Sequence, residues 1–541
     1  MRLMEQLREQ MKDKPLTELI DILCRPDEEL WLPRFVDFSA SPEEKILKTK
    51  YTDNAIIHAK LIRRMIAPMI LEKLGPGPFL DDARILKAID SQGMLPRVSC
   101  LRKQLLDMNT VMEEFVAAKG PIPPAKRILA FGLGGSASGP LLAREIIQNQ
   151  GYCVPFDIHT SYPESFHGIN AETLVVLCSY SGNTEETLHA FDYAKQRTNN
   201  LLMISLDGEL EKLSNDYPFV KIPQSDIKAP RESTGYWVSA FLFIVSSLGI
   251  AKRDDGTVFR FDISEVENIK ESPDELDRDC AADSPFARNP AKQYATHFLH
   301  GTRSGEPSST IDWGHPRTPV FILDGADRAI GKKLANEFGE SVEHPMWLLM
   351  FAEDAHNEIE SAATILLEDK LYHDTRLRSY TYLSSRAYEA ADAQHEDSRA
   401  TQRIEATLKA LFEWHGVDYL RIETQGASLL ERKLRLLKLL DYSRLYASIL
   451  LGTNPLWVVF MDLMKKETGR IVGAADRELL KVLANSSKLP MSKEDAIADG
   501  EVNDRFPALR RTILDRLIEQ RYLVAESGKL VLSNKGKEFA G

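Results

Sequence analysis

The apolar run TLVVLC (Thr173–Cys178) passes into the loop SYSGNT and then into the helical-looking stretch EETLHAFDYAKQR. A strand–loop–helix junction of this kind, repeated along a chain, is the mark of a parallel sheet with helices on both faces. The pattern begins at RILAF (Arg127–Phe131), which enters the glycine loop GLGGSASG and the helix LLAREIIQNQ. It continues through VPFDIH, TLVVLC, LLMIS and FVKI. PVFILDG (Pro319–Gly325) starts a second α/β unit. Its later strands are expected at ATILLED and DYLRIE, followed by the helix LLERKLRLLKLLDYSRLYASILLG.

The fold class is therefore α/β, with two parallel-sheet αβα sandwich domains and smaller regions at each end. Residues 1–95 read as a helical extension, with apolar residues recurring at three and four in NAIIHAKLIRRMIAPMILEKL and a break at GPGP (Gly75–Pro78). Residues 96–250 form the first α/β domain, 251–317 a polar linker with some helix, and 318–468 the second α/β domain. Residues 469–541 change character again: helices are followed by YLVAESGKLVLSNKG, a strand–turn–strand with Ser527 and Gly528 at its tip. That is a winged-helix-like pattern.

Charge and cysteine usage narrow the function classes. The 541 residues carry a formal net charge of −12, which argues against a chain wrapped broadly in nucleic acid. Five scattered cysteines make no metal-ligand spacing and suit reduced thiols, so a cytoplasmic setting is expected. No metal cluster and no cofactor are expected. YWVSAFLFIVSSLGI (Tyr236–Ile250) is too short and too rich in serine to span a bilayer, and reads as a buried helix.

The two loops carry the chemistry. Helix N-termini expose unpaired N–H groups and attract anions. Ser179, Ser181 and Thr184 add hydroxyls there, and Gly182 lets the backbone close around an oxyanion. The plain alternative is a helix capping box. The earlier loop offers Gly134, Gly135 and Ser136 to a sugar. It also matches a dinucleotide fingerprint weakly, through Gly132, Gly134 and Ala137 with Asp157 at the next strand end. That match alone supports a nicotinamide-dependent dehydrogenase.

GLGGSASG, SYSGNTEET, APRES, GES with HNEIE, and LDYSRLYAS with NPLW and LMKK occur in the order and near the spacing of the bifunctional phosphoglucose/phosphomannose isomerases. The resemblance to this family of the sugar isomerase (SIS) superfamily covers roughly residues 105–466. It implies two SIS domains and a phosphosugar substrate. Gly134, Gly135 and Ser136 would line the sugar, and Ser179, Ser181 and Thr184 would hold the phosphate. Glu340 would be the base, Arg231 the cation beside C1 and C2, and His356 and Lys465 the groups that open the ring. The histidine reaches the site from a second subunit in this family, so a homodimer is implied. The reaction would be aldose–ketose isomerisation, glucose 6-phosphate to fructose 6-phosphate first, with mannose 6-phosphate as a second substrate.

Taken singly, each residue has an ordinary explanation. Glu340 sits in an acidic run with Glu337 and Glu343, and Arg231 has Glu232 beside it. His356 suits a turn cap, and Lys465 a helix end. His344 has no counterpart in the family. The sequence also departs from the family pattern at Gly339 and Ser341 around the base, at Ala352 to Asp354, at Leu440 to Tyr442 and at Asn454 to Trp457. The competing function is a sugar-phosphate sensor whose winged helix contacts DNA through Arg505, Arg510, Arg511 and Arg516. A nearly neutral winged helix fits a protein contact better, so nucleic acid is an unfavoured partner.

Overall fold

The structure is a computed structural model. It describes residues 3–30, 55–163, 168–224, 227–269, 272–351, 377–385, 396–413, 417–458, 474–485 and 489–540. Among these residues, no helix is long and apolar enough to cross a membrane.

The first α/β unit is a five-stranded sheet of β1 (Arg127–Phe131), β2 (Phe156–His159), β3 (Thr173–Cys178), β4 (Leu201–Ser205) and β5 (Phe219–Lys221). Their order is β2-β1-β3-β4-β5, and every pairing is parallel. The chain leaves β1 toward β2 on one side and leaves β3 toward β4 on the other. The switch point therefore lies between β1 and β3, where open α/β sheets bind ligands outside the strands' carboxyl ends. Both motif loops leave from these two ends.

Alternation along the strands sends side chains to two different cores. Ile128, Ala130, Leu174 and Val176 join one; Leu129, Phe131, Val175 and Leu177 join the other. The first core contains α1 (Ala55–Leu74), α2 (Leu101–Lys119), α3 (Gly135–Asn149) and α6 (Thr234–Leu248). The second contains α4 (Glu185–Lys195) and the short α5 (Gly208–Lys212). The apolar stretch at Tyr236 is thus a buried helix rather than a membrane span. GPGP breaks the helix as expected: α1 ends at Leu74, and Gly75, with φ +77°, then caps a separate short helix, Pro76–Asp81, with proline at its first position.

The second unit has the parallel order β7-β6-β8-β9, with β6 (Thr318–Leu323), β7 (Trp347–Met350), β8 (Arg378–Ser384) and β9 (Leu420–Glu423). The strand expected at ATILLED lies outside the described residues. β7 and β8 are additional to the sequence expectation. Residues 251–317 contain α7 (Pro290–His300), whose Lys292, Thr296, His297 and His300 are buried. This helix packs along α9 (Leu429–Leu450) and is part of the second unit's fabric.

A buried ion cluster joins the two units. Lys433 on α9 reaches Glu145 on α3 and Asp327 before α8 (Arg328–Glu337), both at 2.9 Å, and donates to the Ala326 carbonyl. Glu145 also accepts from the Ala329 amide at 2.7 Å, and Asn149 donates to the Ala326 carbonyl at 2.7 Å. Removing one partner from such a cluster strands the opposite charge.

The C-terminal residues form α10 (Ala474–Asn485), two short helices, α11 (Arg510–Glu519) and the antiparallel hairpin of β10 (Leu523–Glu526) and β11 (Lys529–Leu532). Ser527 and Gly528 have φ values of +52° and +78° at the hairpin tip, as expected for a tight two-residue turn. This region shares its core with β1, β3 and α4.

Lys433→Met should lower unfolding free energy by about 3–5 kcal/mol in chemical denaturation, because Glu145 and Asp327 lose their common cation. Burial pushes His300 down to about 3 and His297 down to about 4. The fold prefers neutral imidazole, whereas the unfolded chain titrates near 6.5. Their stabilisation is complete above that value and is lost as pH falls through the folded values. Between pH 6.5 and about pH 5, the parent should lose about 2 kcal/mol more stability than His300→Leu.

Candidate functional site

The glycine loop bends where Gly134, with φ +52°, caps α3. Gly135 lies against the segment Pro230–Ser233: a Cβ there would stand 2.6 Å from the Pro230 carbonyl oxygen and 2.8 Å from the Arg231 nitrogen. Ser136 ties this loop to the next one, since its hydroxyl accepts from the Tyr180 amide at 3.1 Å.

The hydroxyl loop is equally constrained. Gly182 has φ +64°, and a Cβ on it would fall 1.7 Å from the Asp207 carbonyl oxygen. Asn183 accepts from the Glu209 amide at 3.0 Å, which fastens the loop to the start of α5. Ser179 and Thr184 share a 2.9 Å hydroxyl–hydroxyl bond. One hydrogen is used between them, so one hydroxyl keeps its hydrogen for a ligand. Thr184 is the N-cap residue of α4 but makes no side-chain capping bond, so the capping-box alternative fails. Ser181 is exposed at the mouth of the loop.

Arg231 follows Pro230 in a short 3-10 turn, and its own neighbour Glu232 is engaged elsewhere. Glu232 binds Arg97 at 2.6 Å and accepts from the Lys228 and Ala229 amides. The simple Arg231–Glu232 pairing is therefore absent. Arg231 instead donates to Glu340 at 2.9 Å and to the Pro455 and Leu456 carbonyls at 2.8 and 3.2 Å. Burial, with Arg444 close by, holds its pKa below the usual guanidinium range.

Glu340 sits on a π-turn, Phe338–Val342, that extends α8. Such local widening re-aims side chains and recurs at functional sites. The Glu340 side chain is 24% exposed, so it remains partly accessible while keeping its arginine. The turn ends at Glu343, which has φ +53° and is held by Lys60 and Arg64 of α1. Beneath it, Arg444 donates to Ser341 at 2.6 Å and pairs with Glu337 at 3.1 Å. Lys333 bridges Glu337 and Asp441 at 2.7 and 2.8 Å. Burial raises Glu337 well above the ordinary carboxylate range, against the pull of Lys333 and Arg444.

Contacts therefore run from the hydroxyl loop through Ser136, Gly135 and Arg231 to Glu340. A cavity of about 210 Å³ adjoins the glycine loop, lined by Gly134, Ser138, Thr160, Lys332, Lys333 and Asn336 among others. His356 and Lys465 lie outside the described residues. His344 is half-buried and bonded through Nε2 to the Arg317 carbonyl at 2.8 Å. The Lys333–Glu337–Asp441–Arg444 network was missed by sequence reasoning. Its only trace was a cluster of charges inside an otherwise apolar helix, DYSRLY.

The comparisons agree with the motif pattern. Residues 311–467 match the family model of the bacterial phospho-glucose isomerase C-terminal SIS domain. The bifunctional phosphoglucose/phosphomannose isomerase of Caldicellulosiruptor bescii is 26% identical over 351 residues, spanning 64% of this chain and 90% of that protein. The protein of the same name from Thermoplasma volcanium is 24% identical, over 63% of this chain and 91% of its own. A hypothetical protein from Thermus thermophilus shares the fold, with a TM-score of 0.51 and 15% identity over 72% of this chain and 94% of that structure. The resemblance carried by the motifs is thus borne out.

Gly182→Ala should destabilise the chain by about 1–3 kcal/mol through combined clash and backbone strain. Thermal melting with and without inorganic phosphate checks this: the variant should melt earlier and lose any phosphate-dependent shift.

Proposed function

We infer that this chain, similar to the phosphoglucose/phosphomannose isomerases across both α/β units, is a phosphosugar isomerase. Its first reaction would be glucose 6-phosphate to fructose 6-phosphate, with mannose 6-phosphate as a further candidate. The observation that carries this is the Arg231–Glu340 pair, 2.9 Å apart, with Arg231 backed onto the glycine loop. A carboxylate paired with a cation suits proton transfer between adjacent carbons.

The phosphate would lie on Ser179, Ser181 and Thr184 at the start of α4, and the sugar across Gly134, Gly135 and Ser136. His356 and Lys465 are assigned ring opening by the resemblance, moving a proton between O5 and O1. Glu340 then removes the C2 proton; the C–H electron pair forms the C1–C2 double bond of a cis-enediol as O1 gains a proton. Glu340 returns its proton to C1 while the O2 hydroxyl loses one and becomes the ketone. Arg231 offsets negative charge on the enediol oxygens. By the same resemblance, His356 comes from a second copy, so the working form is a homodimer.

The sensor alternative needs a free basic surface. Arg505 pairs with Glu478 and Glu501, Arg511 lies 3.8 Å from Glu209, and Arg516 pairs with Glu185 and Asp476. Arg510 donates to the Pro507 carbonyl. These arginines face the chain's own acceptors, which favours an intramolecular contact over DNA.

Turnover of glucose 6-phosphate and mannose 6-phosphate, followed together with deuterium incorporation at C2, tests the assignment. Glu340→Gln should lower turnover by about 10³-fold while phosphosugar binding survives. Binding by the parent without any C2 exchange would transfer the site to a sensing role.

A further inference from the structure

The C-terminal region meets the first α/β unit beside the proposed phosphate loop. Glu185 is the first residue of α4, directly after Thr184. Its carboxylate adds negative charge to the first turn of the helix at whose start the phosphate is proposed to bind. Arg516 of α11 donates to Glu185 Oε1 through both terminal nitrogens, at 3.0 and 2.9 Å. The Arg516 side chain is only 6% exposed, and its Nε is 3.0 Å from Asp476 of α10.

Neighbouring contacts fix this placement. Asp192, farther along α4 and buried, accepts from the Ala508 and Leu509 amides at 3.1 and 3.3 Å. Leu188 and Phe191 of α4 share one apolar core with Leu479, Leu480, Leu514 and Leu517. Arg511 approaches Glu209, whose amide binds Asn183 of the hydroxyl loop. The C-terminal region thus touches both helices that anchor the loop.

We propose that Arg516 is a positioning residue for phosphate binding: from the C-terminal region it neutralises and holds Glu185, so that the start of α4 accepts a phosphate dianion. This rests on the phosphate-loop assignment above. A carboxylate at a helix N-terminus competes with an anionic ligand for the same N–H groups and the same field. Pairing it with a buried arginine removes that competition without removing the helix-stabilising acid. The C-terminal region would then couple its own docking to substrate affinity.

Titration calorimetry of the full-length chain with inorganic phosphate, alongside KM and kcat for the phosphosugar, tests this. Arg516→Gln should weaken phosphate binding and raise KM by about three- to tenfold, with kcat little changed. Glu185→Gln/Arg516→Gln should restore parental affinity, because the uncompensated carboxylate at the start of α4 is gone, although Asp476 still lacks Arg516. Glu185→Gln alone leaves the docking core in place and should bind phosphate as tightly as the parent or more so. Weaker binding by that variant, or no recovery in the double variant, would reduce Arg516 to a structural contact and overturn the proposal. Parental phosphate affinity in a folded Arg516→Gln chain would overturn it too. Failure of the parent to bind phosphate at all would instead remove the loop assignment on which it rests. Phosphate binding that follows the pattern without isomerase turnover would keep the coupling and discard the reaction.

Discussion

One ammonium group holds the two halves of this protein in register. Lys433 is buried between Glu145 of the first unit and Asp327 of the second, with the Ala326 carbonyl as a third acceptor. Two carboxylates drawn from different units share the same cation, so sliding one unit over the other would strand buried charge. Burial already pushes Glu145 up to about 7, against the pull of Lys433. Apolar packing between α3, α8 and α9 supplies cohesion. The ion cluster adds a penalty for any arrangement that separates its charges.

That register decides where Arg231 and Glu340 meet. Arg231 belongs to the first unit's sequence and Glu340 to the second's, 109 positions apart. Each is held in part by groups distant from it in sequence. The Pro455 and Leu456 carbonyls fix the guanidinium, and the π-turn with Arg444 and Ser341 fixes the backbone around the carboxylate. Ser341, one of the departures from the family pattern, still supplies an acceptor to the buried Arg444. The Lys333–Glu337–Asp441–Arg444 network places both signs of charge beneath the turn.

Both terminal regions are built into the same architecture. Lys60 and Arg64 of α1 close on Glu343 at the end of the π-turn, and Arg63 pairs with Asp27 at 2.7 Å. At the other end, the C-terminal helices cover the face of α4 that would otherwise meet solvent. This explains why α4 buries Thr187, Leu188, Ala190, Phe191, Asp192 and Ala194 around much of its circumference. One extension thus touches the turn bearing Glu340, and the other the helix that follows Thr184.

Local chemistry was legible in the sequence. Apolar runs marked β1, β3, β4 and β6 because a strand buried on both faces must be apolar throughout. Ser527-Gly528 marked its hairpin, and the paired glycine and hydroxyl loops marked the ligand-facing ends of β1 and β3. β7 and β8 were harder to see: WLLM is too short, and the aromatic–polar alternation of RSYTYLS resembles a half-exposed strand. The family order of motifs pointed to Arg231 and Glu340, yet neither residue's surroundings could be read locally. Beside Glu232, Arg231 has an obvious partner in sequence that it does not take in space. Electrostatic pairing depends on distance and burial, and both are set by how separate elements pack. Only the tertiary structure could decide that Arg231 crosses to Glu340, that Lys433 serves two units, and that Arg516 returns to the first residue of α4.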